Sequence, residues 1–423
     1  MVPPPPQPEI AICEKAHDVA AVAAGTAMVR GTDGWIFRID DLRGEYTLAP
    51  GTVEGLAKFV KAWNERGTQV ALVVIPPRGV LAAAHVDRTD TLAKDFDPDA
   101  IGAAYKAAVQ TLASSGAVVP DLLTAASDAK LGDGFVFRRD HHWTPEGAKL
   151  AMEAVVRGLT LRPPFTPVTY DNVFQRKRGM VGAIAHTLEK ACGYEPFVVE
   201  KYSDYDSVPK WTEVTEEALL GDPPPPEVVI AGSSHTNKGM KDIFNVTGWL
   251  RAATGTDVLN IGVDGGGFST GLLNWMDSDA ARISPPKLLV WEVSGRVPAG
   301  MPDFFREAMP TMVGECSVAL QTAKVTVANT EVALFFTPQK APAKGEYVFF
   351  SASDPAFVDF RVTFETADGK RDYVEIHRST RIPNNSRYFV SAPDLSSPLA
   401  AVKIRGLGAT SAELSAKLCP APS

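Results

Sequence analysis

The stretch VEGLAKFVKAWNERGTQVALVVI, residues 53–75, decides the fold class. Its first part, 53–66, reads as an amphipathic helix that stops before Gly67, a residue suited to the left-handed turn at a helix end. The apolar run that follows, 69–75, is too continuous for a strand with one wet face and reads as a strand buried on both sides. One helix leading directly into one doubly buried strand is a step of a parallel sheet covered by helices.

The same step recurs outward from this point. A helix is expected around 100–113 with a strand at 117–119, and further buried strands at 227–231, 257–261 and 287–293. Five such strands make an α/β domain. Residues 168–222 break the rhythm with scattered aromatics and Cys192, closing on the Pro223–Pro226 run, and read as an insertion on the rim of the sheet. After about Gly314 the period changes. VTVA, VALFF, YVFF, VDFRVTFET, YVEIHR, YFVSA and AVKIRGL are short β-rich segments between Pro, Gly, Asp and Asn, the pattern of an all-β sandwich. The expected division is residues 1–314 and 315–423, in keeping with a length beyond what one core usually supports.

Composition removes several function classes. With 45% apolar and 22% charged residues the chain has the balance of an ordinary folded protein. A formal net charge of −8 gives no overall field attractive to nucleic acid. No apolar stretch is long enough to span a bilayer. The start, Met1-Val2-Pro3-Pro4-Pro5-Pro6, lacks the regions of a signal peptide, leaving a cytosolic protein or a mature secreted one. Four cysteines, Cys13, Cys192, Cys316 and Cys419, include no C-x-x-C pair; they allow two disulfides in three connectivities, or four free thiols.

The chemistry-bearing residues lie where the chain leaves the expected strands. Glu227-Val228-Val229-Ile230-Ala231-Gly232-Ser233-Ser234 runs a buried strand into a turn at its carboxyl end, where open α/β sheets form their crevice. Ser234 is there the candidate nucleophile, with turn chemistry as the alternative reading. Asp140-His141-His142-Trp143-Thr144-Pro145 supplies a partner: Thr144 caps a helix from about 145 to 157, leaving Asp140 and His142 on the loop before it. Residues two apart on an extended loop can face one side, so Asp140 could orient His142 while His142 faces a serine. A metal reading of Asp140, His141 and His142 lacks further ligands at zinc-site spacing, and neither metal nor cofactor is expected. Gly262-Val263-Asp264-Gly265-Gly266-Gly267 lacks the Lys-Ser/Thr of a P-loop; amides at Gly265 and Gly266 are candidates, with that of Ser234, for an oxyanion hole.

Taken in order, Gly31-Thr32-Asp33-Gly34-Trp35-Ile36-Phe37, Val74-Ile75-Pro76-Pro77-Arg78-Gly79, Asp140-x-His142-Trp143-Thr144, Gly232-x-Ser234 and Val290-Trp291-Glu292 resemble the landmarks of the AlgX/AlgJ-type SGNH-hydrolase-like acetyltransferases. The resemblance covers about 24–296 and includes the order in which Asp-x-His precedes the serine. It implies Ser234 as nucleophile, His142 as base, Asp140 as orienting acid, and Arg78 and His235 as further pocket candidates. Ser233 and His235 depart from the Thr and the aromatic residue common in the family, which bears on pocket shape. The β-rich part resembles the carbohydrate-binding module of some members. The cysteines resemble the family's placement of one pair per domain, implying Cys13–Cys192 and Cys316–Cys419 and, with them, a periplasmic setting. Lys370, Arg371, Arg378, Arg381 and Arg387, in one stretch with His377, Tyr373, Tyr388 and Phe389, are candidates for binding an acidic polysaccharide, with a solvated strand face as the alternative.

The implied activity is transfer of an acetyl group through a serine acyl-enzyme onto exopolysaccharide hydroxyls, of alginate mannuronate above all. A membrane or periplasmic acetylation partner would supply the acetyl group, and export-complex proteins are possible partners. An acetylesterase with the same triad and a non-catalytic polymer-binding scaffold are the alternatives.

Overall fold

The computed structural model describes residues 11–44, 46–160, 164–193, 199–210, 225–239, 241–293, 301–327, 331–334, 345–393, 397–408 and 411–421. The proline-rich start and part of the inserted segment lie outside them.

Four parallel strands form the central sheet, in the order Gln69–Val74, Leu288–Val293, Val228–Ala231, Val258–Asn260. Alternation along each strand feeds two separate cores. Ala71, Val73, Val228, Ile230, Leu288 and Val290 pack toward the helices Pro145–Gly158 and Val246–Thr254. Val70, Leu72, Val74, Val229, Leu289 and Trp291 pack toward Thr52–Asn64, Pro98–Ala113 and Met301–Val313. The continuous apolar runs read in the sequence follow from this burial on both faces.

The expected fifth strand, 117–119, is a single bridge. Val118 pairs with Ala71, its N–H donating to Val70 O at 2.9 Å and its carbonyl accepting from Leu72 N at 2.8 Å. Pro120, which has no N–H, prevents a longer ladder. A hairpin, Met28–Arg30 with Ile36–Arg38, turns at Asp33 (φ 53°) and Gly34 (φ 79°), which accounts for the Asp-Gly of the Gly31–Phe37 motif. The described part of the insertion contains regular elements. It pairs Tyr170–Met180 with Glu200–Pro209 as an antiparallel ribbon around the helix Ala183–Cys192, and it lies against the sheet's covering helices.

The C-terminal region stacks two antiparallel sheets of four strands. One has the order Glu331–Leu334, Leu399–Gly406, Asp359–Thr366, Arg371–His377; the other Arg387–Ser391, Tyr347–Ala352, Ala412–Cys419, Gln321–Val327. Phe360, Val362, Phe364, Val374 and Ile376 meet Val348, Phe350, Val390 and Leu414 in the core between them. Ala412–Cys419 is a strand the sequence reading did not pick out; its inward positions include the small Ala412 and Ala416. Disulfides join Cys13 to Cys192 and Cys316 to Cys419.

Candidate active site

All four parallel strands end on one edge of the sheet, and the site is built there. Val228–Ala231 delivers the turn that carries Ser234. Gly232 is required at its start: a Cβ would stand 2.5 Å from Glu292 Oε2 and 2.8 Å from Glu292 Cβ. Glu292, near the end of the neighbouring strand, accepts from Ser233 N at 2.7 Å and Ser233 Oγ at 2.9 Å, so the residue before the serine is pinned from below. Thr236 N donates to Ser233 O at 3.1 Å and closes the turn.

Asp140 and His142 arrive from the loop before the helix Pro145–Gly158, whose cap is the expected one: Gly147 N donates to Thr144 Oγ1 at 3.0 Å. The Asp140 carboxylate is fully buried. Its Oδ1 accepts from His142 N at 2.8 Å and bonds His142 Nδ1, while Oδ2 accepts from Ala183 N at 2.7 Å and Lys238 Nζ at 3.0 Å. His142 Nε2 stands 2.8 Å from Ser234 Oγ. An anionic Asp140 holds the proton on Nδ1 and leaves Nε2 to accept from the serine hydroxyl. Two residues of one loop and a serine 92 positions further along thus form one hydrogen-bonded row.

Burial alone would raise the Asp140 carboxyl, but the bond from His142 and the neighbouring Lys238 ammonium hold it well below the usual carboxylate range. Burial pushes the His142 imidazole down; Asp140 opposes this and Lys238 adds to it. The imidazole is therefore a neutral base at ordinary pH. His141, its ring tilted 34° to that of His142 with centroids 4.0 Å apart, is pushed down to about 3 by burial and by His142. His235, 4% exposed, is likewise held neutral by burial and packs on His142 at 4.6 Å. Trp143, which sequence alone could leave as core, donates Nε1–H to His235 O at 2.8 Å and so ties the base loop to the serine turn.

Other expected pocket residues are placed differently. Among the described residues the Ser234 N–H has no acceptor, so it stays available to an oxyanion. The Gly266 N–H instead donates to Val263 O at 2.9 Å, within a tight turn, and is not available. Gly265, at φ 70°, lies beneath Arg381, whose Nε is 3.1 Å from where a Cβ would be. Arg78 is a brace and not an oxyanion donor. Its guanidinium bonds the carbonyls of Ile36, Phe137 and Arg138 and the Asp41 carboxylate, and it lies over the rings of Trp35 and Phe37. One edge of Arg78 still lines a cleft of about 200 Å³ that also touches Arg38, Asp40, Arg43, Tyr46, His141 and His235.

The basic stretch in the β-rich region does not form one binding face. Arg378 is mostly buried against Glu307, and Arg387 bonds Asp277 at 2.9 Å besides Glu315 of its own region at 3.1 Å, so Glu307 and Asp277 fasten this region to the α/β part. Tyr388 and Phe389 are core residues. Lys370 and Arg371 are exposed beside Asp368 and Glu365 at 3.2 and 3.3 Å. Arg381 is exposed, with no carboxylate partner among the described residues. Lys238 and the Ala183 amide were not foreseen; no local motif marks them, because both reach Asp140 only through the fold.

Asp140, His141 and His142 offer possible metal-ligand atoms within 4.8 Å of one another. The Asp140 oxygens and both His142 ring nitrogens, however, already have protein partners.

Comparison with known proteins agrees with this architecture. The alginate biosynthesis protein AlgX of Pseudomonas fluorescens is 26% identical over 98% of this chain and 88% of its own length. The probable alginate O-acetylase AlgJ of the same species is 26% identical over 64% of this chain and 68% of its own length. The solved structure of Pseudomonas aeruginosa AlgX superposes with a TM-score of 0.80 at 22% identity, covering 97% of this chain and 100% of that one, which shows a shared fold. The family model described as "SGNH hydrolase-like domain, acetyltransferase AlgX" matches residues 28–295, and the chain belongs to that family.

Proposed function

We propose that this protein acetylates a polysaccharide through an acetyl ester on Ser234. The observation that carries the proposal is the row from Asp140 through His142 to the Ser234 hydroxyl. His142 Nε2 takes the hydroxyl proton as Oγ attacks the acetyl carbonyl of a donor ester. The Ser234 N–H faces the developing oxyanion, the donor's C–O bond breaks, and His142 returns the proton to the leaving oxygen. In the second half His142 takes the proton of a sugar hydroxyl, whose oxygen attacks the acetyl-serine, and Oγ leaves with that proton.

The acceptor we propose is alginate, at mannuronate hydroxyls, in line with the names of the relatives. Arg38 and Arg43 in the cleft and the exposed Arg381 over Gly265 are suited to the carboxylates of such a chain. We assign residues 315–423 the role of a carbohydrate-binding module that keeps polymer near residues 1–314, a gain in local concentration without a new catalytic group. The two disulfides favour an oxidising compartment, and the periplasm is the proposed setting. An acetylation partner supplies the acetyl group.

Incubation with a synthetic acetyl ester and mannuronate oligomers, followed by mass spectrometry of the sugars, tests this. The native chain adds acetyl groups and Ser234→Ala does not. Release of acetate with no mass gain on the sugar would make the protein an esterase, and transfer surviving in Ser234→Ala would remove the serine from the mechanism.

A further inference from the structure

We propose that Lys238 is a positioning residue for the transfer reaction, an ammonium that locks Asp140 in place from the same chain segment that presents Ser234. The inference rests on the proposed function and adds a fourth member to its row of groups. Lys238 follows Ser234 by four residues, within the connection that leaves the strand Val228–Ala231. Its Nζ reaches Asp140 Oδ2 at 3.0 Å and stands 3.4 Å from His142 Nδ1 and 3.7 Å from Met180 Sδ.

One short segment therefore touches both ends of the row: Ser234 at Nε2 of the imidazole, Lys238 at the carboxylate behind it. The two contacts fix the imidazole against sliding along the row, because displacement of the segment would break both together. The Lys238 side chain is 23% exposed and its ammonium is engaged by a buried carboxylate, so it is placed to act through Asp140 and not on substrate.

The cation also has an electrostatic consequence. The charged and titratable groups around His142 are Asp140 and His141 on its own loop, His235 and Lys238 on the serine segment, and Asp264 on the glycine turn, with Arg38 beyond His141. Among them Lys238 is the permanent positive charge nearest the imidazole. A fixed positive charge 3.4 Å from Nδ1 disfavours a second proton on the ring. It thereby keeps the base free at lower pH.

The test uses the full chain with Lys238→Met and Lys238→Arg, assayed for transfer from a synthetic acetyl ester. In Lys238→Met kcat falls about tenfold or more with little change in KM, and the acid limb of kcat/KM moves to higher pH by about one unit. Lys238→Arg, which keeps the charge, restores the limb and most of the rate. If Lys238→Met does not fold, Lys238→Gln gives the same comparison. A Lys238→Met or Lys238→Gln profile that overlays the native one overturns the inference, as does a rate loss with an unmoved acid limb. Such a result beside an inactive Ser234→Ala removes only this role of the lysine; an active Ser234→Ala removes the reaction itself.

Discussion

Glu292 lies under the serine turn, fully buried, with Oε2 bonded by Ser233; among the described residues Oε1 has no hydrogen-bond partner and faces His235 Nδ1 at 3.8 Å. Burial pushes its carboxyl up to about 7 against the ordinary 4.5. A raised carboxyl favours the folded state while protonated, and that contribution is lost as pH climbs from about 4.5 through about 7. Glu292→Gln keeps an acceptor for Ser233 and carries no charge, so it should be more stable than the native chain at pH 8, by up to about 3 kcal/mol, and nearly equal to it near pH 4.5. Thermal unfolding of both proteins at the two pH values checks this; a difference that does not change with pH would mean that burial leaves the carboxyl unshifted. At this scale the sequence was informative where chemistry is local. Asp140 and His142 are two residues apart and Ser234 follows a strand, so their types and spacing carry a signal. Lys238 and Ala183 carry none, because their contacts with Asp140 cross 98 and 43 positions, and the motif that contains Trp143 does not reveal its bond to His235, 92 positions away.

The element that most affects the site is the helix Ala183–Cys192, which the irregular composition of the insertion concealed. Its first amide donates to Asp140, its entry at Gly182 lies against Arg139 so closely that a Cβ would be 2.0 Å from the carbonyl oxygen, and its last residue is bonded to Cys13. The disulfide therefore holds the helix that holds the carboxylate. Replacing Cys13 and Cys192 together by Ser should lower stability by about 5 kcal/mol, as loop entropy predicts for a bridge closing so long a loop. It should also lower kcat while the fold persists, as the Ala183 amide withdraws from Asp140. Unfolding and transfer assays on the same preparation measure both; unchanged kcat would separate the bridge from the site. Strands were legible where β-branched and aromatic residues alternate, as in Asp359–Thr366, and missed in Ala412–Cys419, where Ala and Ser blunt the alternation. The bridge at Val118 was read as a full strand because a short apolar run does not reveal how many of its residues pair.

Across the whole molecule the two regions are joined by charges the sequence suggested for polymer. Arg378 meets Glu307 on the helix Met301–Val313, where both are nearly buried, and Arg387 meets Asp277. Truncating one member of a buried pair leaves the other charge without a partner, so Arg378→Ala should destabilise by about 3 kcal/mol or more, and Arg378→Met combined with Glu307→Gln by much less. Calorimetry of the single and double variants distinguishes this from a polymer contact, for which Arg378→Ala would weaken oligomannuronate binding and leave unfolding unaltered. Basic residues among aromatics look the same in sequence whether they face a ligand or a neighbouring domain; what separates them is the carboxylate opposite, brought from up to 110 positions away. The account as a whole depends on Ser234 carrying the acetyl group. Brief reaction with a synthetic acetyl ester, acid quenching and peptide mass spectrometry measure that directly. The account predicts one acetyl group on the peptide containing Ser234, accumulating without acceptor, discharged by mannuronate oligomers and strongly reduced in His142→Ala. Acetylation absent from that peptide while oligomers are still acetylated, or equal in the native and His142→Ala chains, would contradict it.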